Sequence, residues 1–318
     1  MAASSAASPQ RLAVIPIVPS QLRTSWGTVG FMVVIHALAL WGLLPRFWSP
    51  LALAVLLVLY WLTACIGVTL GYHRLLAHRS FRVVPWLEPL ITTCGTLSCQ
   101  QGPIDWAGLH RHHHLHSDDP SDHHNSRLGF WWSHFGWMLK EVPAKAHVKR
   151  LTPDLQANAY YRWLNRNFLL LQFPLAAFLW WLGETTGAGG FALVLWGIPL
   201  RLALVYHCTW MVNSATHRWG YVSHESHDQS KNNWWVALLT FGEGWHNNHH
   251  AYQSSARMGF RWWEIDLTWL HIKLLERLGL ASHIHLPDVN YLGGSRQLRR
   301  RVTPGPPPAM GGGGDSEK

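Results

Sequence analysis

Cysteine is scarce in this chain: Cys65, Cys94, Cys99 and Cys208 each stand alone in an apolar stretch. None has the paired spacing of a zinc site, an iron–sulfur cluster or a disulfide framework, so the four read as packing residues. Charge is scarce as well, at 14% of 318 residues against the roughly 25% of a typical soluble domain. The formal net charge of +9 reads as membrane topology and lipid contact, and nothing in it favours nucleic acid. His-Glu-x-x-His is absent, which removes the zinc metalloprotease pattern, and so is a His-Pro-Gly-Gly haem signature. The one glycine-rich run, "GAGGFA" from Gly187, follows no strand and lies between apolar segments, so it is no nucleotide fingerprint. There is no internal repeat and no second domain.

Apolar residues make up 48% of the chain, with 21 Trp. Long apolar stretches run over Gly27–Leu44, Leu51–Leu70, Phe168–Leu182 and Gly190–Val212, each near the roughly 20 residues that cross a bilayer. They predict an all-α membrane protein with four transmembrane helices. The N-terminal segment has no small-residue cleavage site, so a removed signal peptide is not expected. The 183–190 connection has no Lys or Arg, whereas the segment between the second and third stretches holds Arg74, Arg79, Arg82, Lys140, Lys145, Lys149 and Arg150. The positive-inside rule then puts both termini and that segment in the cytoplasm. The expected organisation is a cytoplasmic segment over 1–24, a membrane domain over 25–285 and a C-terminal segment over 286–318. From Gly293 the last of these is rich in Gly, Pro and charge and reads as a disordered tail.

Histidine is abundant, with 22 residues, and it is clustered. "HRLLAH" carries His73 and His78, "WAGLHRHHHLHSDD" carries His110, His113 and His114, and "EGWHNNHH" carries His246, His249 and His250. Residues at i, i+3 and i+4 share a helix face, so each H-x-x-H-H box is expected to aim three imidazoles at one point. His73 and His78 are looser, since five residues overshoot a helical turn. On the predicted topology all three boxes face the cytoplasm, provided that "VVPWLEPLITTCGTLSCQQGP" is re-entrant or interfacial; Glu88, Pro85 and Pro89 and its short apolar core favour that. Where the fourth helix leaves the membrane, "NSATH" adds His217, four residues after Asn213 and on the same face.

That makes nine candidate ligands, while a tetrahedral zinc site uses four. Nine imidazoles suggest two metal ions, with water or a polar side chain such as Asn213 filling a gap. Imidazole suits Zn, Cu, Fe and Ni, so ligand type leaves the metal open. A metal transporter would carry polar ligands inside its membrane helices, whereas these boxes lie just beyond them. A paired centre at the cytoplasmic surface, using iron and oxygen, remains. His36 and His207 lie in membrane helices as hydrogen-bonded packing; His112, His116, His123, His147, His224, His227, His271, His283 and His285 lack box geometry. His124 and His134 are candidates to orient ligands. Arg201, a charge inside the fourth stretch, is expected to organise the bundle or the substrate path.

"GYHRLLAHRSF", "WAGLHRHHHLHSDD", "DHHNSRLGFWWSHFGWML", "NSATHRWG" and "NNWWVALLTFGEGWHNNHHAY", in this order, resemble the membrane fatty acid desaturases. The similarity spans roughly Ser25 to Leu280 and is strongest to the Δ9 branch, which includes stearoyl-CoA desaturase and the cyanobacterial and plant acyl-lipid enzymes. It departs at Asp122-His123-His124-Asn125-Ser126, where the family has Asp-Pro-His-Asn-Ser, and in the extra His112 and His116. The resemblance implies a cytoplasmic helical cap in which His73, His78, His110, His113, His114, His217, His246, His249 and His250 bind two iron ions, with Asn213 holding a water. It implies molecular oxygen as co-substrate and a cis double bond, placed at Δ9, in a saturated chain of a glycerolipid or acyl-CoA. The chain has no place to store electrons, so ferredoxin, or a cytochrome of the b type, would supply them. A hydroxylase or ketolase on the same scaffold and a non-enzymatic metal-binding membrane protein are the alternatives.

Overall fold

The computed structural model describes residues 15–287 and the backbone of 300–302. Three helices are long and apolar enough to cross a membrane: α2 (Pro50–Ala77), α5 (Ala159–Thr186) and α6 (Gly190–Arg218). Each overruns the apolar stretch that announces it, because hydropathy registers only the part that lipid touches. The overrun carries His73 on α2 and His217 on α6. Helix α1 (Trp26–Gly42) is apolar but has 17 residues. At 1.5 Å per residue that is about 25 Å, slightly less than a bilayer core. Trp26, Val33, Leu40, Phe173 and Trp181 stand exposed on the outer faces of α1 and α5, a surface that suits lipid.

Helix α2 begins cleanly, with Pro50 at its first position and the Ser49 hydroxyl accepting from Ala52 N at 3.0 Å. From Trp61 to Ala77 it widens into a π-helix, an i→i+5 ladder that ends with His78 N donating to His73 O at 3.0 Å. Here Gly67 lies against α3 (Leu87–Thr96). A Cβ on Gly67 would sit 2.3 Å from Gly95 N, so only glycine admits the two backbones at this distance. Helix α3, about 15 Å long, cannot cross a membrane. Helix α4 (Pro103–His116) starts at Pro103, and Asn165 Oδ1 accepts from the Ile104 and Asp105 amides at 3.1 and 3.0 Å, seating α4 on α5.

Two small antiparallel pairs qualify the all-α expectation: Arg82–Val83 with Ala281–Ser282, and His285–Pro287 with Arg300–Val302. The segment 281–287 is thereby held beside the first histidine box, where His285 N donates to Ser80 O at 2.8 Å. Arg300–Val302 belongs to the expected tail; the rest of that tail lies outside the described residues.

Arg201 is fully buried and ties three elements together. Its Nε donates to Gly197 O at 2.9 Å, Nη1 to Leu97 O at 2.7 Å beyond α3, and Nη2 to Gln172 Oε1 at 3.1 Å on α5. It organises the bundle. Arg201→Leu removes the charged donor that links Gly197, Leu97 and Gln172, a cost of about 2–5 kcal/mol. A lower thermal unfolding midpoint of the detergent-purified protein is the expected result; an unchanged midpoint would contradict this role.

Candidate metal centre

Four elements deliver the histidines: the π end of α2, the face of α4, the last turns of α6, and the short helix α8 (His246–Ala251), which follows α7 (Trp234–Leu239). All nine predicted residues converge, but in two groups. His73, His78, His110, His114 and His249 form one and His113, His217, His246 and His250 the other, with the ligand atoms of each group within 4.8 Å of one another. The expectation that each box aims at one point fails. His110 and His114 are one turn apart and share a target, while His113 points to the second; likewise His249 leaves His246 and His250. The two histidine groups flank each helix, and the 100° step between i+3 and i+4 places neighbouring positions on either side. The looseness assigned to His73 and His78 also fails, because the π ladder brings residues five apart into line; their ring centroids lie 4.8 Å apart.

The inward nitrogens are all Nε2. His110 Nε2 lies 2.7 Å from His78 Nε2 and 3.0 Å from His114 Nε2; His249 Nε2 lies 2.9 Å from His114 Nε2 and 3.1 Å from His73 Nε2. In the second group His246 and His217 approach at 3.1 Å, and His113 and His250 at 3.4 Å. A ring nitrogen carries either one hydrogen or one lone pair in its plane, so His110, His114 and His249, each facing two others, cannot satisfy every contact with protons. A cation between them takes every lone pair. With metal–nitrogen bonds of about 2.1 Å, adjacent ligands sit roughly 3 Å apart, which matches these spacings. Burial, then neighbouring imidazoles, pushes His78, His110, His114, His246 and His249 well below the usual histidine range. His113 shifts the same way, from burial and then His250. Neutral rings are what a metal needs.

Four carboxylates hold the outer nitrogens, and sequence reasoning missed all of them. His73 Nδ1 pairs closely with Glu243, His113 Nδ1 with Asp122 at 3.0 Å, His217 Nδ1 with Asp118 at 2.9 Å, and His250 Nδ1 closely with Asp228. Each accepts from Nδ1–H and so turns the Nε2 lone pair inward. Glu243 is itself gripped by the fully buried Arg74, at 2.8 Å, which also binds Asp266 at 2.9 Å. Proximity to the boxes was the available signal for Asp118, Asp122 and Glu243; Asp228 had none. Burial alone would raise the Asp118 carboxyl, but the hydrogen bond from His217 holds it well below its usual range. Asp118→Asn keeps the shape and loses that acceptor charge, so metal affinity should fall about 10–100-fold in a chelator competition. Unchanged retention of metal would contradict the orienting role.

The His124 ring lies 4.1 Å from that of His113, tilted against it, and groups with Asp122. His134 does not: it bonds His207 at 3.1 Å and Ser214 at 2.9 Å, away from both groups. His36 and His207 pair at 3.1 Å, which is packing as expected. Asn213 belongs to neither group but lines a ≈60 Å³ cavity with His73, His110, His113, Glu243 and His246. A larger cavity of ≈310 Å³, walled by Phe31, Met32, Trp106, Tyr206 and Trp210, also reaches His110 and Asn213.

An apolar cavity that reaches the first histidine cluster at His110 invites comparison with known lipid-modifying proteins. The sequence profile described as "Fatty acid desaturase" matches residues 46–283. An sn-1 stearoyl-lipid 9-desaturase of Synechocystis sp. is 54% identical over 267 residues, 84% of this chain and 82% of that one. An sn-2 palmitoyl-lipid 9-desaturase of Nostoc sp. is 48% identical, covering 83% of this chain and 90% of the relative. The Delta-9 acyl-lipid desaturase 2 of Arabidopsis thaliana is 40% identical over 80% of each. Since the matched span contains every histidine of both clusters, sequence and geometry agree that this chain belongs to the fatty acid desaturase family.

Proposed function

We propose that the chain inserts a cis double bond at Δ9 of a saturated acyl chain esterified in a glycerolipid, using oxygen and a pair of iron ions. The observation that carries this is the division of nine neutral or carboxylate-held imidazoles into groups of five and four, the first reached by an apolar cavity at His110. His73, His78, His110, His114 and His249 would hold one iron, and His113, His217, His246 and His250 the other. Asn213, facing both cavities, would position a water. An unactivated methylene has no acidic proton and no leaving group, so acid–base and nucleophilic routes fail; the irons, when bound, supply the oxidising power that the side chains lack. The reaction takes R–CH2–CH2–R′, oxygen, two electrons and two protons to R–CH=CH–R′ and two waters.

The protein's part is placement. Phe31, Met32, Tyr206 and Trp210 hold the chain against His110 and keep bulk water from it, while Lys140 and Lys145 mark the polar rim. The glycerolipid carrier rests on the names of the relatives, which act on stearoyl- and palmitoyl-lipids. Ferredoxin is the proposed electron donor, an acidic partner for the basic run that includes Lys140, Lys145 and Lys149. Helix α1 is taken as a fourth crossing, at the short end of the usual range of roughly 17–25 residues. Both termini and a helical cap with the irons then face the cytoplasm. The division into 1–24, 25–285 and 286–318 stands as part of the proposal.

Expression with ferredoxin and its reductase in a host without unsaturated fatty acids tests this. A Δ9 cis alkene should appear first in intact glycerolipids. Its appearance first in acyl-CoA would overturn the carrier, and a hydroxylated product without alkene would overturn the desaturation.

A further inference from the structure

Helix α9 (Leu267–Arg277) and the loop before it present apolar side chains that nothing among the described residues covers. Trp262 is 93% exposed, and Ile265 at 61%, Leu270 at 55% and Leu274 at 53% follow it. On α7, Trp234 and Leu238 are exposed in the same way. Leu270, Leu274 and Leu278 recur every fourth residue, so they form one stripe along α9. Cations lie on aromatic rings beside the stripe: Arg261 sits 5.5 Å from the Trp263 ring and Lys273 5.9 Å from that of Trp269. Tryptophan, leucine and snorkelling cations together mark a bilayer interface.

Two hydrogen bonds fix how deep this face lies. Tyr60 Oη donates to Leu239 O, at the end of α7, at 2.5 Å, and Trp61 Nε1 donates to His271 Nε2, on α9, at 3.1 Å. Trp61 is eleven residues beyond Pro50 (61 − 50), about 16 Å along α2, while the hydrocarbon core is about 30 Å thick. If α2 crosses the bilayer from Pro50, elements bonded to residues 60 and 61 lie inside it. Leu57 and Val58, exposed on α2 one turn earlier, make the apolar face continuous from the crossing helix.

We infer that α7, the Trp262–Ile265 loop and α9 are sunk into the leaflet on the side of the histidine clusters, with the Leu270–Leu274–Leu278 stripe against acyl chains. The cap is thereby moored by segments that do not cross. Their occupant is the lipid surface, since apolar continuity with α2 and the flanking cations both favour it over a protein. This rests on α2 spanning the membrane, as proposed above.

Nitroxide labels at Leu274→Cys and, separately, Trp262→Cys test it in the full chain, in nanodiscs of phosphatidylcholine and phosphatidylglycerol. Cys94, the native cysteine that is not buried, is replaced by serine. Leu57→Cys on α2 and Lys149→Cys on the cap are references. Both test labels should collide with oxygen several-fold more than with an aqueous nickel chelate, as Leu57→Cys does and Lys149→Cys does not. Because the two positions lie on different elements, misfolding of one variant leaves the other decisive. Nickel collisions prevailing at both while Leu57→Cys reads as lipid would overturn the mooring and leave the crossing intact. Exclusion of both reagents would mean a protein partner or second copy on this face and would also overturn it. Nickel access at Leu57→Cys would overturn the crossing itself.

Discussion

His249→Ala abolishes desaturation, with an expected loss of roughly 10³-fold or more, because residues that act as one unit lose function together when one goes. His249 comes from the third box yet closes the first cluster, with Nε2 2.9 Å from His114 and 3.1 Å from His73. Its neighbour His246 closes the other, 3.1 Å from His217. His246→Ala, His113→Ala and His217→Ala should be equally inactive, each with reduced bound metal. His116→Ala should keep activity, since His116 packs on His112 at 4.7 Å and belongs to neither cluster. His112→Ala should also keep it, at some cost in stability, because His112 is buried against His147. Assays of product per folded molecule check both sets; equal losses in the two would contradict the assignment of residues to clusters.

A steep loss of stability below neutral pH is the second large effect, and it belongs to the metal-free chain. His78, His110, His113, His114, His246 and His249 are held well below the ordinary histidine value, chiefly by burial. In the unfolded chain each takes a proton near pH 6.5. As pH falls below that value the unfolded state binds protons that the folded state refuses, so stability drops by about 1.4 kcal/mol per pH unit for each ring. The six rings together make the fall several kcal/mol per unit until the folded values are reached. Asp118 and Asp228 do not contribute in this window. Their folded values are depressed, so their stabilisation is complete above about pH 4 and is lost only below it. The thermal midpoint of the chelator-treated protein should therefore fall sharply between pH 7 and pH 5.5. A flat midpoint across that range would show that the rings are not buried and neutral.

Much of the site was legible because imidazole ligands are rare enough for their spacing to stand out. His110, His113 and His114, or His246, His249 and His250, announce a ligand face whatever surrounds them. Their division between two groups was not legible, since it depends on how α4 and α8 are rotated against α2 and α6. The His73 and His78 pairing was hidden for a similar reason. A π segment comes from tertiary packing, here the meeting of Gly67 with Gly95, and five-residue spacing looks wrong on an α-helix. Asp118, Asp122, Asp228 and Glu243 have no periodic signature, because a carboxylate can reach a ring nitrogen from any loop. The apolar stretches marked the membrane helices, but buried ends such as Thr63–Ala77 of α2 are covered by protein and carry no lipid-facing pattern. Arg201 stood out as a charge in an apolar run, yet its partners Leu97 and Gln172 are distant in sequence and are defined only by the fold.

The most direct test of the central claim, a paired iron centre divided across the boxes, is the metal content of the purified chain. Elemental analysis after anaerobic loading with ferrous iron and removal of excess should find two iron atoms per wild-type chain, and fewer in His249→Ala and His246→Ala. A single metal ion per wild-type chain, or two retained when either cluster loses a histidine, would contradict the account.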